Sequence, residues 1–279
     1  MLLVGSGLCG PLRVRGGPRR SAPCGASHPR SRAVPGSWPP RGSRADAAAQ
    51  VARVRCPGLG PARRTAGSSP EAGLAEFGRI GVVVNNAGYG PVGAVEETSD
   101  RAARALFDVN VFGVLNTLRA TLPTLRAQRS GHVLNIGSVG GFATAPAAGL
   151  YGASKFALEG ISEALHGELA PLGVRVTIVE PGGLRTDFLN SSSMRVEPAS
   201  IADHVVGAGP VREALAHHDG RQPGDPVKAA KAIVDITEVT EPPLRLQLGA
   251  DAIERVEAKL DRVRRELDEW RHVALSTGI

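Results

Sequence analysis

"RIGVVVNNAG", residues Arg79–Gly88, is a run of β-branched residues that ends in two asparagines and a glycine. A continuous apolar run followed by turn residues predicts a buried strand of a parallel sheet. Three further strands are predicted along the chain, at His132–Ser138, Val174–Gly183 and Leu244–Leu248. Because such strands are apolar on both faces, they call for a sheet that is covered on both sides.

Helical patterns lie between these strands. Ser99 is predicted to cap a helix that ends at Phe107, and helical sequence continues over residues 110–126 with a kink at Pro123. A third helix begins near Tyr151 and repeats apolar residues at a 3.6-residue spacing, at Leu158, Ile161, Leu165 and Leu169. Alternating strands and helices predict an α/β fold with a doubly wound parallel sheet.

Polar residues and glycines stand at the carboxyl ends of the predicted strands, where open α/β sheets bind their ligands. They are Asn85 to Gly88, Ser138, and Pro181-Gly182 with Thr186 close behind. Asn110 lies within a predicted helix, where asparagine has poor propensity, and this favours a functional role. We expect these residues to converge at one edge of the sheet.

Tyr151 and Lys155 are four residues apart at the start of the third predicted helix. Side chains at this spacing lie on the same helix face. An adjacent ammonium favours the phenolate and can lower a tyrosine pKa, ordinarily about 10, by roughly 1–3 units. The pair is therefore either a proton-transfer catalyst or two residues on a solvated helix face, and the spacing alone does not separate the two.

Several short motifs resemble, in order and spacing, those of the short-chain dehydrogenase/reductase family of Rossmann-fold enzymes. The motifs are N-N-A-G at Asn85–Gly88, Asn110 in V-N-x-x-G, Ser138 thirteen residues before Tyr151, Y-x-x-x-K at Tyr151 and Lys155, and P-G-x-x-x-T at Pro181–Thr186. Each motif is weak alone. Their joint order identifies the chain from about Glu71 onward as a member of the family and favours the catalytic interpretation of the Tyr–Lys pair.

The resemblance implies an NAD(P)-dependent oxidoreductase that transfers a hydride between nicotinamide and a carbonyl or secondary alcohol. Tyr151 would be the acid/base, Lys155 would lower the tyrosine pKa and hold the nicotinamide ribose, and Ser138 would orient the reacting oxygen. Asn110 would hold a water through which protons reach Lys155. The other cofactor-binding residues that the resemblance implies are Asn85, Ala87, Gly88, Pro181, Gly182 and Thr186.

Structural roles are the alternatives for several of these residues. Asn85 could hold the sheet edge, and Gly88 could permit a turn. Ser138 could cap a strand end, and Thr186 could be a helix N-cap. The contacts that each side chain makes distinguish the two kinds of role.

The glycine-rich T-G-x-x-x-G-x-G turn with which the family binds the cofactor pyrophosphate is missing near the N-terminus. A nominal G-x-G-x-x-G occurs at Gly5, Gly7 and Gly10, after Leu2-Leu3-Val4. Pro11 and the Arg/Gly-rich sequence behind it cannot supply the helix that this motif needs. The N-terminal part of the Rossmann-like sheet is therefore expected to be incomplete or disordered.

Residues 1–70 form a low-complexity Arg/Gly/Pro/Ala-rich segment, and residues 71–279 form the predicted catalytic domain with its amphipathic C-terminal helix. Twelve Arg, eleven Gly and ten Pro in the segment predict disorder. Its length matches the missing element, and its main residues are encoded by GC-rich codons, so an out-of-frame translation is the favoured hypothesis. The alternative is a genuine, divergent N-terminus on a catalytically impaired member that acts as a scaffold or regulator.

Charge and cysteine content restrict the class of protein. The net charge is +6, but residues 1–70 carry +11, which leaves −5 for the remainder. Without interleaved aromatics or a recognition motif, this distribution argues against nucleic-acid binding. Three cysteines with no C-x-x-C pair argue against a disulfide framework and a metal site, and favour a cytoplasmic location. No apolar run approaches the roughly 20 residues of a membrane span.

The predicted C-terminal helix, from about Ala250 to His272, carries apolar residues at alternating spacings of three and four. They are Ile253, Val256, Leu260, Val263, Leu267 and Trp270. Ion pairs are predicted beside this stripe at Asp251/Arg255 and Asp261/Arg265. The stripe could be the seam of a homodimer or homotetramer, or it could pack against the chain's own sheet.

No motif identifies the substrate. Residues 188–227 fall where the family has its substrate loop, and "EPGGLRTDF" (Glu180–Phe188) is similar to hydroxysteroid and retinol dehydrogenase-like reductases. The resemblance implies a small-molecule carbonyl or alcohol and favours NADP(H) over NAD(H). His217 and His218 would point apart on a helix, so no metal site is predicted there.

Overall fold

Six parallel strands form the central sheet: β1 (Leu2–Gly5), β2 (Val51–Val54), β3 (Val82–Asn85), β5 (Gly131–Ile136), β6 (Val174–Pro181) and β8 (Arg245–Leu248). Their spatial order is β2-β1-β3-β5-β6-β8. Two short strands, β4 (Gly90–Val92) and β7 (Met194–Val196), pair separately. The computed structural model describes residues 2–5, 51–54, 74, 77–189, 193–196 and 201–279. The four strands predicted from the sequence are confirmed.

Six α-helices lie in the described part of the chain: α1 (Asp100–Phe107), α2 (Gly113–Gln128), α3 (Gly149–Leu169), α4 (Val205–His218), α5 (Pro226–Asp235) and α6 (Ala250–Leu275). Ser99 accepts a hydrogen bond from the Ala102 backbone N–H at 3.2 Å, so it caps α1 as predicted. A π-helical turn, Asp108–Phe112, joins α1 to α2. The sequence did not indicate α4 or α5, because α4 contains Pro210 and lacks a clear apolar face.

The core lies between the central strands and helices α2 and α3. Its buried residues are Ile80, Val83, Val114, Leu118, Leu125, Val133, Leu158, Leu165, Leu169, Val174, Val176 and Ile178. Burial of each large side chain stabilises the fold by about 1.5–3 kcal/mol. The strand residues of this core lie on one face of the sheet. The other face buries Val84, Leu134 and Val179 together with the polar residues His132 and Thr177, so the strands are buried on both faces but are not apolar throughout.

The disorder expected for residues 1–70 does not hold for two short pieces, β1 and β2. β1 pairs in parallel with β3, and Gly5 lies opposite Asn85. β2 pairs with the other side of β1. A strand can form here because β3 offers a full row of backbone partners to the apolar sequence Leu2-Leu3-Val4. The rest of the segment, including Gly7 and Gly10, lies outside the described residues.

The predicted ion pairs of α6 are not formed. Asp251 instead accepts a hydrogen bond from the Gly183 backbone N–H at 2.7 Å, and Arg255 donates to the Ala143 carbonyl. The last strand and α6 are thereby tied to the loops that follow β5 and β6. Among the helices of the described ranges, none combines the length and apolar character that crossing a bilayer requires.

Candidate active site

The π-helical turn between α1 and α2 places Asn110 in the interior. The side chain is 1% exposed, and its amide nitrogen donates to the Tyr89 carbonyl at 2.9 Å and to Ser154 Oγ at 3.0 Å. Its amide oxygen accepts from the Tyr89 backbone N–H at 3.2 Å. Asn110 thus connects the loop after β3 to helix α3, and π-helical turns are frequent at functional sites.

Lys155 lies one turn into α3 and is 4% exposed. Its ammonium donates to the Ile136 carbonyl at the end of β5, at 2.8 Å. Burial lowers the pKa of Lys155 to about 8. Gly88 lies beside this ammonium, since a Cβ on Gly88 would be 3.4 Å from Lys155 Nζ and 3.3 Å from Asn110 Oδ1. The structure therefore brings Gly88, Asn110 and Lys155 together.

Tyr151 lies on the same face of α3, and the Lys155 ammonium is 5.8 Å from its ring centroid. Burial raises the pKa of the Tyr151 phenol, while a hydrogen bond with Ser138 and the positive charge of Arg255 act in the opposite direction. The sequence analysis assigned the lowering of this pKa to Lys155. In the structure Ser138 and Arg255 are two further groups that favour the phenolate, and the assignment to Lys155 stays a prediction.

Ser138 and Thr186 have capping contacts of the kind that a structural role requires. Ser138 Oγ accepts from the Gly140 backbone N–H at 3.0 Å and caps the short 3-10 turn after β5. Thr186 Oγ1 accepts from the Phe188 backbone N–H at 3.3 Å. For Ser138 the cap coexists with the hydrogen bond to Tyr151, so the capping role and the proposed role are compatible.

The N-N-A-G and P-G motifs occupy the adjoining strand ends. Asn85 is buried and donates to Asn135 Oδ1 at 2.8 Å, which joins β3 to β5. Pro181 ends β6, and the Gly182 backbone N–H donates to the Leu248 carbonyl at 2.9 Å. A Cβ on Gly182 would lie 2.3 Å from the Asp251 carboxylate, so a side chain there would displace that carboxylate from its contact with Gly183. These contacts support structural roles for Asn85 and Gly182.

The sequence analysis missed a pair of buried carboxyl groups close to Lys155 along α3. Glu159 lies one turn further along α3, and Glu180 lies on β6. Burial and the nearby Glu180 charge raise the pKa of Glu159 to about 7, and burial also raises that of Glu180. Arg245 on β8 contacts both, at 3.0 Å from Glu159 and 3.7 Å from Glu180. A glutamate in the apolar run "VTIVEP" was the available signal.

Two further residues line the site without a sequence motif to mark them. The Phe188 ring packs against the Tyr151 ring with centroids 5.7 Å apart. Arg255, on α6, contributes to a groove of about 380 Å³ together with Ala143, Thr144 and three other cations of the same helix. Throughout the described ranges, no three His, Cys, Asp or Glu side chains are grouped as a metal site would need.

Several known proteins are similar in sequence to this chain. The family described as short chain dehydrogenase matches residues 70–196. Oxidoreductase BOA17 of Botryotinia fuckeliana is 36% identical over 208 residues, which are 75% of this chain and 75% of that protein. Retinol dehydrogenase 8 of Bos taurus is 35% identical over 176 residues, 60% of this chain and 55% of that protein.

A solved structure agrees with these sequence matches. The crystal structure of a short-chain dehydrogenase from Streptomyces avermitilis has a TM-score of 0.68 and 43% sequence identity, covering 74% of each chain. Three observations point to the same family: the order of the polar residues along the chain, their convergence at the strand ends, and the similarity to these proteins. The chain belongs to the short-chain dehydrogenase family of oxidoreductases.

Proposed function

We propose that the protein is an NAD(P)-dependent reductase in which Tyr151 protonates a substrate carbonyl. The observation that carries this proposal is the joint placement of the Tyr151 phenol, its Ser138 partner and the buried Lys155 ammonium beside one sheet edge. When bound, the nicotinamide supplies the hydride.

Tyr151 is the proton donor. The phenol is protonated at neutral pH, and Ser138 and Arg255, which oppose the effect of burial on its pKa, would help it release the proton. Ser138 would donate a hydrogen bond to the same carbonyl oxygen. Lys155, positively charged below a pKa of about 8, would stabilise the phenolate that remains after proton transfer. Asn110 would hold a water that returns a proton through Lys155.

The nicotinamide side of a cofactor fits the residues present. Gly88 leaves open the space next to Lys155 and Asn110 that a Cβ would fill. We assign Lys155, Tyr151 and the Asn85–Gly88 turn to this side, together with Pro181, Gly182 and Thr186. The pyrophosphate side of the cofactor would lie near Gly5, which ends β1 and pairs with Asn85. Gly7 and Gly10 follow Gly5 in the sequence. Family resemblance favours NADP(H).

The substrate we propose is a small, largely apolar carbonyl compound or alcohol. Similarity to a protein named as a retinol dehydrogenase supports this class. So does Phe188, whose ring provides an apolar wall next to the reacting phenol. A cytoplasmic location remains our proposal from the cysteine content.

Calorimetric titration of the full 279-residue chain with NADPH, and separately with NADH, tests this function. We expect NADPH to bind more tightly than about 100 μM, a binding free energy near −5.5 kcal/mol, and more tightly than NADH. Tyr151→Phe should then bind NADPH equally well and lose roughly 10²–10⁴-fold in carbonyl reduction. Absence of binding to both nucleotides would overturn the proposal and support the scaffold or regulator alternative.

A further inference from the structure

The C-terminal part of α6 has no contact with the rest of the described chain that buries it. Every residue from Leu260 to Ile279 is exposed. Large apolar side chains are among them: Leu260 is 52% exposed, Leu267 56% and Trp270 60%. Helices in proteins take most of their stability from packing an apolar face, and isolated helices of about 12–15 residues are marginal in water. The predicted packing of the stripe against the chain's own sheet is wrong for this part.

We propose that α6 pairs in antiparallel orientation with α6 of a second copy of this chain. The stripe fits this arrangement because its spacings are symmetric about a point between Asp261 and Arg262. Three layers then form, each occurring twice: Ile253 with Trp270 of the second copy, Val256 with Leu267, and Leu260 with Val263. All six stripe residues meet an apolar partner, as a coiled-coil seam requires.

The charges that flank the seam support the antiparallel orientation. Glu257 and Arg264 flank one side of the stripe, and each would face the other residue type on the second copy. Lys259 and Glu266 flank the other side and would pair in the same manner. The two-fold symmetry repeats each attraction, so four opposite-charge pairs border the interface.

A parallel pairing of the same helices is less favourable. In that orientation Lys259 would face Arg264 of the second copy, a repulsion that also occurs twice. Glu266 would face Arg271 and give an attraction. Repulsion and attraction then offset each other, whereas the antiparallel arrangement has attractions alone. The flanking charges therefore select the antiparallel dimer over the parallel one.

Sedimentation equilibrium of the full chain tests the seam. The chain should sediment as a dimer with a concentration-dependent monomer fraction. Leu260→Ser/Val263→Ser should produce a monomer that unfolds like the wild-type monomer, because both side chains are already exposed within one chain. Val206→Ser, which removes a more exposed valine from α4, should leave the dimer unchanged. A monomeric wild type, or a dimer unaffected by the double change, would overturn the proposal.

Charge reversal tests the orientation. Arg264→Glu should raise the dimer dissociation constant roughly tenfold. The change places a glutamate opposite Glu257 of the second copy, and the two-fold symmetry repeats this repulsion. Adding Glu257→Arg should restore the wild-type constant. Arg265→Glu is the matched control, since it makes the same charge change on the helix face opposite the stripe. A tighter dimer for Arg264→Glu would show parallel helices and contradict the antiparallel arrangement.

Discussion

The Lys155 ammonium is 4% exposed, and its contact with the Ile136 carbonyl replaces only part of its hydration. Its pKa is lowered by burial to about 8, below the ordinary 10.5. Holding the side chain charged at pH 7 therefore costs stability, and this cost disappears as the pH rises from about 8 to about 10.5. If Lys155 has the role proposed above, it is a catalytic group that is retained at a cost to the stability of the fold.

Lys155→Met should increase the free energy of unfolding at pH 7 by about 1–3 kcal/mol, because the stem remains packed and the buried charge is gone. The gain should shrink as the pH approaches 10, where the wild-type lysine is neutral. Urea unfolding at the two pH values measures both effects. Carbonyl reduction should be lost in the same variant. A less stable variant at pH 7 would show that the hydrogen bond to Ile136 outweighs the cost of burial.

We expect His132 to make the free energy of unfolding depend on pH in a second range. The ring is fully buried on β5, with Nε2 3.0 Å from Thr177 Oγ1, and its Nδ1 has no hydrogen-bond partner in the described part of the chain. Burial lowers its pKa to about 4, so the unfolded chain binds the proton first. Above about pH 6.5 the neutral ring makes its full contribution to the free energy of unfolding. Below that pH the free energy of unfolding falls by about 1.4 kcal/mol per pH unit until about pH 4.

Chemical denaturation between pH 7 and pH 4.5 checks this dependence. His132→Leu should flatten the part of the curve between pH 6.5 and 4.5, because leucine takes up no proton in the unfolded chain. Thr177 keeps its hydrogen bond to the Pro243 carbonyl in that variant. An equally steep curve for His132→Leu would assign the pH dependence to other groups.

Motif order predicted which residues would meet at the candidate site, but it did not predict their ionisation. Tyr151, Lys155, Ser138 and Asn110 could be predicted because motif spacing along the chain is directly visible. The raised pKa of Tyr151 and the Glu159–Glu180 pair depend on which side chains the fold buries together. No local sequence pattern carries that information.

Helix α3 and the turn after β5 pack with little space between them at the site. A Cβ on Gly141 would lie 2.9 Å from both the backbone carbon and the Cβ of Lys155, so no side-chain rotation could relieve the contact. Gly160 lies on α3 as well, and a Cβ there would meet nothing within 4 Å. The two glycines provide a matched pair for testing the packing of this element.

Gly141→Ala should lower the free energy of unfolding by about 1–3 kcal/mol through overpacking, and should reduce activity by displacing Lys155. Gly160→Ala should raise it by about 0.5–1 kcal/mol, because alanine is the better helix former in an exposed position. Thermal unfolding and steady-state reduction measure the two effects. Equal behaviour of the two variants would show that the turn and the helix can separate at little cost.

Element boundaries were predictable where a cap or a strong period marks them. Ser99 indicated the start of α1, and the apolar spacing indicated α3. The π-helical turn at Asn110 could not be predicted, because it is a one-residue change in hydrogen bonding that depends on the contacts of Asn110 with Tyr89 and Ser154. Helix α4 lacked both signals, whereas α5 had a cap at Asp225 and a proline at its first position that the sequence analysis missed.

At the scale of the whole molecule, β1 sits inside the sheet rather than at its edge. It separates β2 from β3, the first strand of the residues that resemble the family. The composition of a 70-residue segment does not reveal a four-residue strand within it. The parallel pairing of that strand depends on β3, which is distant in the sequence. If β1 contributes to folding, residues 1–70 are part of the working protein and not merely an out-of-frame appendage.

A chain shortened to residues 71–279 tests this. Removing β1 and β2 would turn β3 into an edge strand with unpaired backbone groups, so we expect a lower melting temperature and a tendency to aggregate. Because Gly5 faces Asn85 at the ligand-binding end of the sheet, nucleotide affinity should fall in parallel. Calorimetry and light scattering on both chains give the comparison. A shortened chain as stable and as soluble as the full one would instead mean that the N-terminal strands contribute nothing to the sheet, as the out-of-frame hypothesis requires.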